Sequence, residues 1–100
     1  MLDRRWKYPL QLAEDIYFRA AKENMDEFIY EARSLYTLMV AKYQSYSFDM
    51  DEVKDVVRIL DEKIQSTFMH QVLYGIGFPK SSYDWYVNTL VELEKDLLDR

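Results

Sequence analysis

The sequence predicts an all-α protein, an antiparallel bundle of four helices. Between Leu10 and Tyr74 it contains no glycine and no proline, the residues that most often interrupt helices. Apolar residues along that span recur every three or four positions, which is the helical period and not the alternation of a β-strand. Both glycines then fall within residues 75–79, where a turn is expected. We therefore expect one domain over residues 1–100, with four amphipathic helices joined by short connections.

The first helix is predicted over residues 9–23, because Pro9 suits the first helical position, where its missing N–H costs nothing. The second is predicted over residues 25–46, with Asn24 as its N-cap and Glu27 reaching back to that cap. Since no helix-breaking residue precedes Asn24, the two segments could also form one long kinked helix. We favour a break at Asn24.

The third helix is predicted over residues 50–74. Asp49 suits its N-cap, and Gly75 suits the left-handed residue that ends it. The fourth helix is predicted to begin with Ser81 as its cap and to run to about Asp99.

Each helix carries one apolar stripe, which predicts the face that it turns toward the core. In chain order the stripes are Ala13, Ile16, Tyr17 and Ala20; Phe28, Ala32, Leu35, Met39, Tyr43 and Tyr46; Val53, Val57, Leu60, Ile64 and Thr67/Phe68; and Tyr86, Leu90, Leu93 and Leu97. Leu35, Leu60 and Leu93 are expected to be core residues.

Composition and charge exclude several classes of function. The formal net charge of −5 argues against general nucleic-acid binding, which needs a basic surface. The absence of cysteine excludes disulfides, thiolate catalysis and zinc–thiolate sites. No segment approaches the ~20 apolar residues of a membrane span, and the N-terminus lacks the apolar region of a signal peptide. We therefore expect a cytoplasmic protein that binds neither nucleic acid nor membranes.

No pattern of residues indicates catalysis or a cofactor. His70 is the only histidine, and the sequence offers it neither a nucleophile nor an orienting partner. The Glu-x-x-His spacing of di-iron bundles is absent, so no metal site is expected. We expect no catalytic residue, cofactor or metal. A small helical enzyme without a metal is a remote alternative, because tyrosine and carboxylates can transfer protons.

The first candidate binding surface lies on the fourth helix. At 100° per residue, Trp85, Glu92 and Asp96 share one line that lies off the apolar stripe. Tryptophan is enriched among hot-spot residues, and the carboxylates beside it would complement a basic partner. The alternative is that Trp85 folds over the loop at residues 77–79 and caps the core.

Two further aromatic residues project away from the stripes of the first two helices. They are Phe18 and Tyr30, and singly exposed apolar residues of this kind are common. Acidic residues in the same segments would make them part of an acidic, aromatic contact surface: Glu14, Asp15, Glu27 and Glu31.

Residues 67–78 are apolar on nearly every side of the predicted helix. The residues concerned are Phe68, Met69, Val72, Leu73, Tyr74, Ile76 and Phe78. A helix that is apolar all round is either buried or in contact with another molecule. Two alternatives follow: deep insertion into the core, or a homodimer or partner surface. A homodimer interface would be formed by Met69, Leu73, Tyr74 and Phe78.

In size, helical content and negative charge the chain resembles the nuclease-colicin immunity proteins, without their motifs. Three short segments, Leu60–Glu62, Thr67–Met69 and Tyr74–Ile76, resemble a stretch of the enterobacterial biofilm-modulating antitoxins but are too short to identify a family. We expect a small acidic protein-binding module: an immunity protein, an antitoxin or a phage-encoded inhibitor that masks a basic surface on its partner. The alternative is a structural or adaptor subunit that forms an obligate helical dimer.

Overall fold

The computed structural model describes residues 2–75 and 77–100, and about three-quarters of the chain is α-helical. A 3₁₀ turn at Arg4–Trp6 leads into four helices: α1 (Lys7–Lys22), α2 (Ile29–Tyr43), α3 (Met50–Tyr74) and α4 (Lys80–Leu98). No β-strand occurs in these described ranges. The predicted all-α, four-helix architecture is confirmed, with α1 and α2 as separate helices.

The four helices run up and down, so that each is antiparallel to the next and α4 returns beside α1. α1 and α3 each pack against both α2 and α4. At one end, the Asp3 N–H donates to the Tyr43 carbonyl over 2.7 Å and joins the start of the chain to the end of α2. Near the other end, Phe68 of α3 stacks on Tyr83 of α4 with ring centroids 4.0 Å apart. The bundle measures 47 × 23 × 19 Å.

The connection between α1 and α2 differs from the prediction, because Asn24 ends α1 instead of capping α2. Asn24 has φ of +56°, in the left-handed region that asparagine tolerates better than most residues. Its N–H donates to the Ala21 carbonyl over 3.2 Å, and the Met25 N–H donates to the Ala20 carbonyl over 2.9 Å. These two bonds form the Schellman pattern of a helix C-terminus. α2 begins only at Ile29, without a side-chain cap.

α2 ends at Tyr43, three residues before the predicted end. Ser45 has φ of +67°, and the Tyr46 N–H donates to the Ala41 carbonyl over 2.9 Å, which repeats the Schellman pattern. Tyr46 therefore lies beyond the helix and is 65% exposed, so its place in the buried stripe was wrong.

The ends of α3 agree with the prediction, whereas the start of α4 does not. The Asp49 carboxylate accepts a hydrogen bond from the Asp51 N–H over 2.9 Å, as an N-cap should. Gly75 follows the helix with φ of +67°, which confirms its predicted role. α4 begins at Lys80 with no side-chain cap, so the prediction of a Ser81 cap is wrong.

The core consists largely of the predicted stripes. Leu35, Leu60 and Leu93 are each completely buried. The buried apolar residues form one continuous cluster that draws on all four helices. The hydrophobic periodicity of the sequence therefore identified the inner face of each helix correctly.

Phe78 closes the core at the end of the bundle where α3 stops. It is 1% exposed, and its ring centroid lies 5.9 Å from that of Phe28 and 5.8 Å from that of Tyr86. The Phe78 N–H donates to the Gln71 side-chain oxygen over 2.8 Å, which holds the α3–α4 connection against the core. The sequence placed Phe78 in a possible dimer interface, but the connection turns it inward, so it is not available to a second copy.

Ile76, which the sequence counted with the apolar segment, lies outside the described residues. Within the ranges that are described, no helix combines the length and the apolar character needed to cross a membrane.

Candidate functional site

Trp85 lies between α4 and α1 and is half-buried. The Arg19 guanidinium of α1 sits over its ring, 4.5 Å from the centroid. The same ring meets Tyr86 edge-on, with centroids 5.3 Å apart. Trp85 therefore covers the boundary between α1 and α4, and one face of its ring already makes a cation–π contact with Arg19 of its own chain.

The two carboxylates on the line of Trp85 are also engaged within the chain. The Tyr8 hydroxyl donates to Glu92 over 3.1 Å, and Arg100 pairs with Asp96 over 2.9 Å. Arg100 also lies over the Trp6 ring, 4.3 Å from its centroid. The face that the sequence offered to a partner therefore borders α1. A helical wheel gives the angular position of a residue, but not the neighbour that lies beside it.

A polar network behind Trp85 ties α1 to α4. Glu23 accepts hydrogen bonds from the Tyr86 hydroxyl over 2.7 Å and from the Ser82 hydroxyl over 2.8 Å, and Arg19 lies 3.4 Å from the same carboxylate. Burial alone would raise the pKa of Glu23, but these hydrogen bonds and the Arg19 charge outweigh it and lower that pKa. Burial, and then the Glu23 hydrogen bond, raise the pKa of Tyr86. The mutual satisfaction of these groups marks the network as a structural link between helices.

Phe18 belongs to an aromatic cluster that crosses from α1 to α2. Its ring centroid lies 5.6 Å from that of Tyr17 and 5.9 Å from that of Tyr36. Phe18 is 52% exposed, and Tyr30 on α2 is 71% exposed. Both residues are thus on the surface, as the sequence predicted. Packing of α1 on α2 is sufficient to explain the cluster around Phe18.

The C-terminal end of α3 carries the most concentrated exposed apolar surface of the described chain. Lys63 of α3 pairs with Glu31 in the first turn of α2, and Phe68 stacks on Tyr83 in the first turn of α4, so both contacts precede the last six residues of α3. Four large apolar side chains there, which we name the α3 tip, are each at least 59% exposed: Met69, Val72, Leu73 and Tyr74. The sequence had allowed residues 67–78 to be buried in the core, but in the structure only the two ends of that segment, Thr67 and Phe78, are buried.

A depression of about 300 Å³ opens beside the α3 tip. Four residues of α3 and one from the α1–α2 connection line it: Lys63, Ser66, Thr67, His70 and Glu27. Lys63 is paired with Glu31 over 2.9 Å, whereas Glu27 makes no ion pair with the residues that the structure describes. The uncompensated charge of the depression is therefore negative. The sequence alone gives no indication of this depression, because Glu27 is distant in the chain from the α3 residues that it faces.

A larger depression, of about 520 Å³, lies between α3 and α4 at the opposite end of the bundle. Lys54 and Arg58 stand on its rim with Asp61 and Glu94, and burial together with the Asp61 charge raises the pKa of Glu94. Because both signs of charge occur on this rim, it indicates no single class of ligand. In the described ranges, no group of three or more acidic or histidine side chains is placed to hold a metal ion.

Comparison of the chain with protein-family models, with curated proteins and with solved structures finds no match. We therefore compare the surfaces of the bundle itself. Among them, the α3 tip is the one where the fold leaves several large apolar side chains together in solvent.

Proposed function

We propose that this chain is a small acidic protein-binding module that neutralises a partner by masking a basic surface on it. The observation that carries the proposal is the α3 tip, where four large apolar side chains are at least 59% exposed. Contiguous apolar patches rimmed by polar residues mark protein interaction sites. Solvent exposure of these side chains is unfavourable, so their burial against a partner would favour association.

Charge supports a basic partner. The chain has a formal net charge of −5, and Asp26 and Glu27 stand in the α1–α2 connection at the same end of the bundle as the tip. An acidic surface attracts a basic partner over a distance and speeds their encounter. The apolar tip would then supply the short-range contact.

The area of the tip supports a distinct partner over an obligate dimer of the chain. Its four side chains expose on the order of 500 Å², within the ~300–600 Å² of the largest patch on an ordinary monomer. A standard interface between different proteins needs roughly 800 Å² from each partner, whereas an obligate homodimer needs more, roughly 1,000–2,500 Å² from each copy. The tip therefore suits an anchor within a mixed interface, and the obligate helical dimer remains the alternative.

The α4 line is the less favourable contact surface. A partner that bound Glu92 and Asp96 would compete with Tyr8 and Arg100, which already hold these carboxylates. Trp85 would likewise have to exchange its contact with Arg19. We therefore place the main contact at the α3 tip and treat Trp85, Phe18 and Tyr30 as surface residues outside it.

Leu73→Glu tests the proposal, with Val91→Glu as the matched control. Val91 is 54% exposed on α4, so Val91→Glu introduces the same charge at a surface valine away from the tip. We expect the wild type and Val91→Glu to capture a basic protein from the native host in stoichiometric amount, and we expect salt to weaken that binding. Leu73→Glu should lose at least ~2 kcal/mol of binding free energy, as truncation of a hot-spot residue does.

Sedimentation over a range of concentrations separates the alternatives. A wild-type dimer that Leu73→Glu converts to a folded monomer would establish the dimer in place of the neutraliser. Equal partner binding by the wild type and Leu73→Glu would show that the tip is not the contact.

A further inference from the structure

We infer that the partner presents an amphipathic helix with a lysine or arginine one turn from its apolar anchors, and that this basic side chain enters the depression beside the α3 tip. The inference rests on the proposed function, since it assumes that the tip is the docking surface. It adds the chemistry of the segment that docks there.

The depression and the tip form one continuous line on α3. Ser66, His70 and Leu73 are spaced at i, i+4 and i+7, which places them along one side of the helix. At 1.5 Å per residue, this line is about 10 Å long. A partner helix that lies along it can place one side chain in the depression and others, one or two turns away, on the tip.

The charge of the depression selects the side chain that enters it. Lys63 is neutralised by Glu31, which leaves the Glu27 carboxylate as the uncompensated charge among the described lining residues. Lysine and arginine have apolar stems that pack on hydrocarbon and heads that pair with a carboxylate. A volume of about 300 Å³ accommodates one such side chain. An acidic guest would be repelled by Glu27.

A second copy of this chain does not supply the required guest. In a symmetric dimer the same patch faces itself, so the tip of one copy would meet the tip of the other. Residues 64–79 contain no lysine or arginine, and the lysines that border this range, Lys63 and Lys80, are already paired with Glu31 and Asp84. The tip of one copy therefore offers no unpaired lysine or arginine to Glu27 of the other. This favours a different protein as the occupant.

Selection from a phage-displayed library of helical 16-residue peptides tests the inference, because the library samples many helix sequences at once. The library is selected against the wild type, Leu73→Glu, Glu27→Lys and the control Asp55→Lys. Asp55 is an exposed carboxylate near the opposite end of α3, so its reversal makes the same change in net charge far from the tip. Circular dichroism confirms that each variant is folded before selection.

We expect the wild type and Asp55→Lys to select peptides with lysine or arginine three or four positions from an apolar pair. Leu73→Glu should bind these peptides at least ~10-fold more weakly. Glu27→Lys should also weaken them at least ~10-fold, and replacement of the basic peptide residue by glutamate should recover part of the loss, as a double-mutant cycle measures.

The other outcomes separate the two proposals. If no peptides are enriched, the guest is not a helix of this kind and only the inference fails. If the selected peptides bind Leu73→Glu as tightly as the wild type, the tip is not a docking surface and the proposed function fails with it. Two further outcomes would overturn only the inference. In the first, the selected peptides depend on the tip but carry no preferred lysine or arginine. In the second, they carry one, but Glu27→Lys does not weaken their binding. An equal effect of Asp55→Lys would reduce the inference to a general effect of net charge and overturn it too.

Discussion

The α1–α4 boundary and the α3 tip are both rich in large apolar side chains, but they differ in what those side chains meet. At the boundary, Trp85 lies under Arg19 and Tyr86 donates to Glu23. At the tip, Leu73 is 64% exposed and Tyr74 is 71% exposed. The first region looked free for a partner in the sequence and is engaged within the chain. The second offered a choice between burial and a partner, and it is exposed.

The difference follows from which residues have a neighbouring helix beside them. A hydrophobic period predicts which side of a helix is apolar, but not whether a second helix lies opposite it. α3 continues for six residues after Phe68, which stacks on Tyr83 in the first turn of α4, and the large apolar side chains of those last residues are exposed. An apolar pattern that continues where no neighbour follows is therefore a better indication of exposed apolar surface here than a tryptophan beside carboxylates.

The largest expected effect is a difference in folding stability between alanine substitutions of two leucines on α3. Leu60 is fully buried, so Leu60→Ala should destabilise the fold by about 2–5 kcal/mol. Leu73 is 64% exposed, so Leu73→Ala should change stability by less than ~0.5 kcal/mol. Urea denaturation of both variants measures the difference. Similar losses of stability at the two positions would show that the tip is packed against the bundle. The contrast between the α3 tip and the α1–α4 boundary would then be wrong.

A middle-sized effect is expected in the Glu23 network. Tyr86→Phe removes a hydroxyl that donates to a partly buried carboxylate, and a bond of this kind contributes about 1.5–3 kcal/mol. Tyr30→Phe is the control, because Tyr30 is 71% exposed and should tolerate the change. Equal stability of the two variants in urea would mean that the hydrogen bond to Glu23 contributes nothing measurable.

The stabilisation from the hydrogen bond between Tyr86 and Glu23 should depend on pH in two separate ranges. Because the folded-state pKa of Glu23 lies below its ordinary value of 4.5, its stabilisation is present above that pH and is lost as the pH falls through the folded-state pKa. Because the pKa of Tyr86 is raised above 10.0, its contribution is present below pH 10.0 and is lost as the pH rises further. Both slopes of stability against pH should be shallower in Tyr86→Phe than in Tyr30→Phe.

Local chemistry explains which parts of the fold could be predicted. The stripes, the Asp49 cap and the Gly75 stop depend on a few neighbouring residues, and apart from Tyr43 and Tyr46 at the end of one stripe they are as predicted. Asn24 was misassigned because asparagine suits both the start of a helix and the left-handed residue after its end. Ser45 ends α2 in the same left-handed conformation, which serine adopts too rarely for the sequence to indicate it.

The candidate site could be predicted only in part, because it depends on contacts between distant segments. The sequence offered Met69, Leu73 and Tyr74 as candidates for contact with another molecule, and all three are exposed at the tip, although the contact itself stays a prediction. It gave no indication that Glu27 borders the same surface or that Phe78 turns away from it. Both depend on the paths of the connections, which hydrophobic periodicity does not describe.

The smallest expected effect concerns Glu92 and tests where the contact lies. Glu92 is exposed and accepts one hydrogen bond from Tyr8, so Glu92→Lys should change stability by about 0.5 kcal/mol or less, as for other exposed pairs. If the α3 tip is the contact, Glu92→Lys should change the association rate only about as much as the same reversal at Asp55, because both act through net charge. Stopped-flow association with the captured partner at several salt concentrations measures this. A much slower association for Glu92→Lys than for Asp55→Lys, with a weaker dependence on salt, would return the contact to α4, where the sequence alone had placed it.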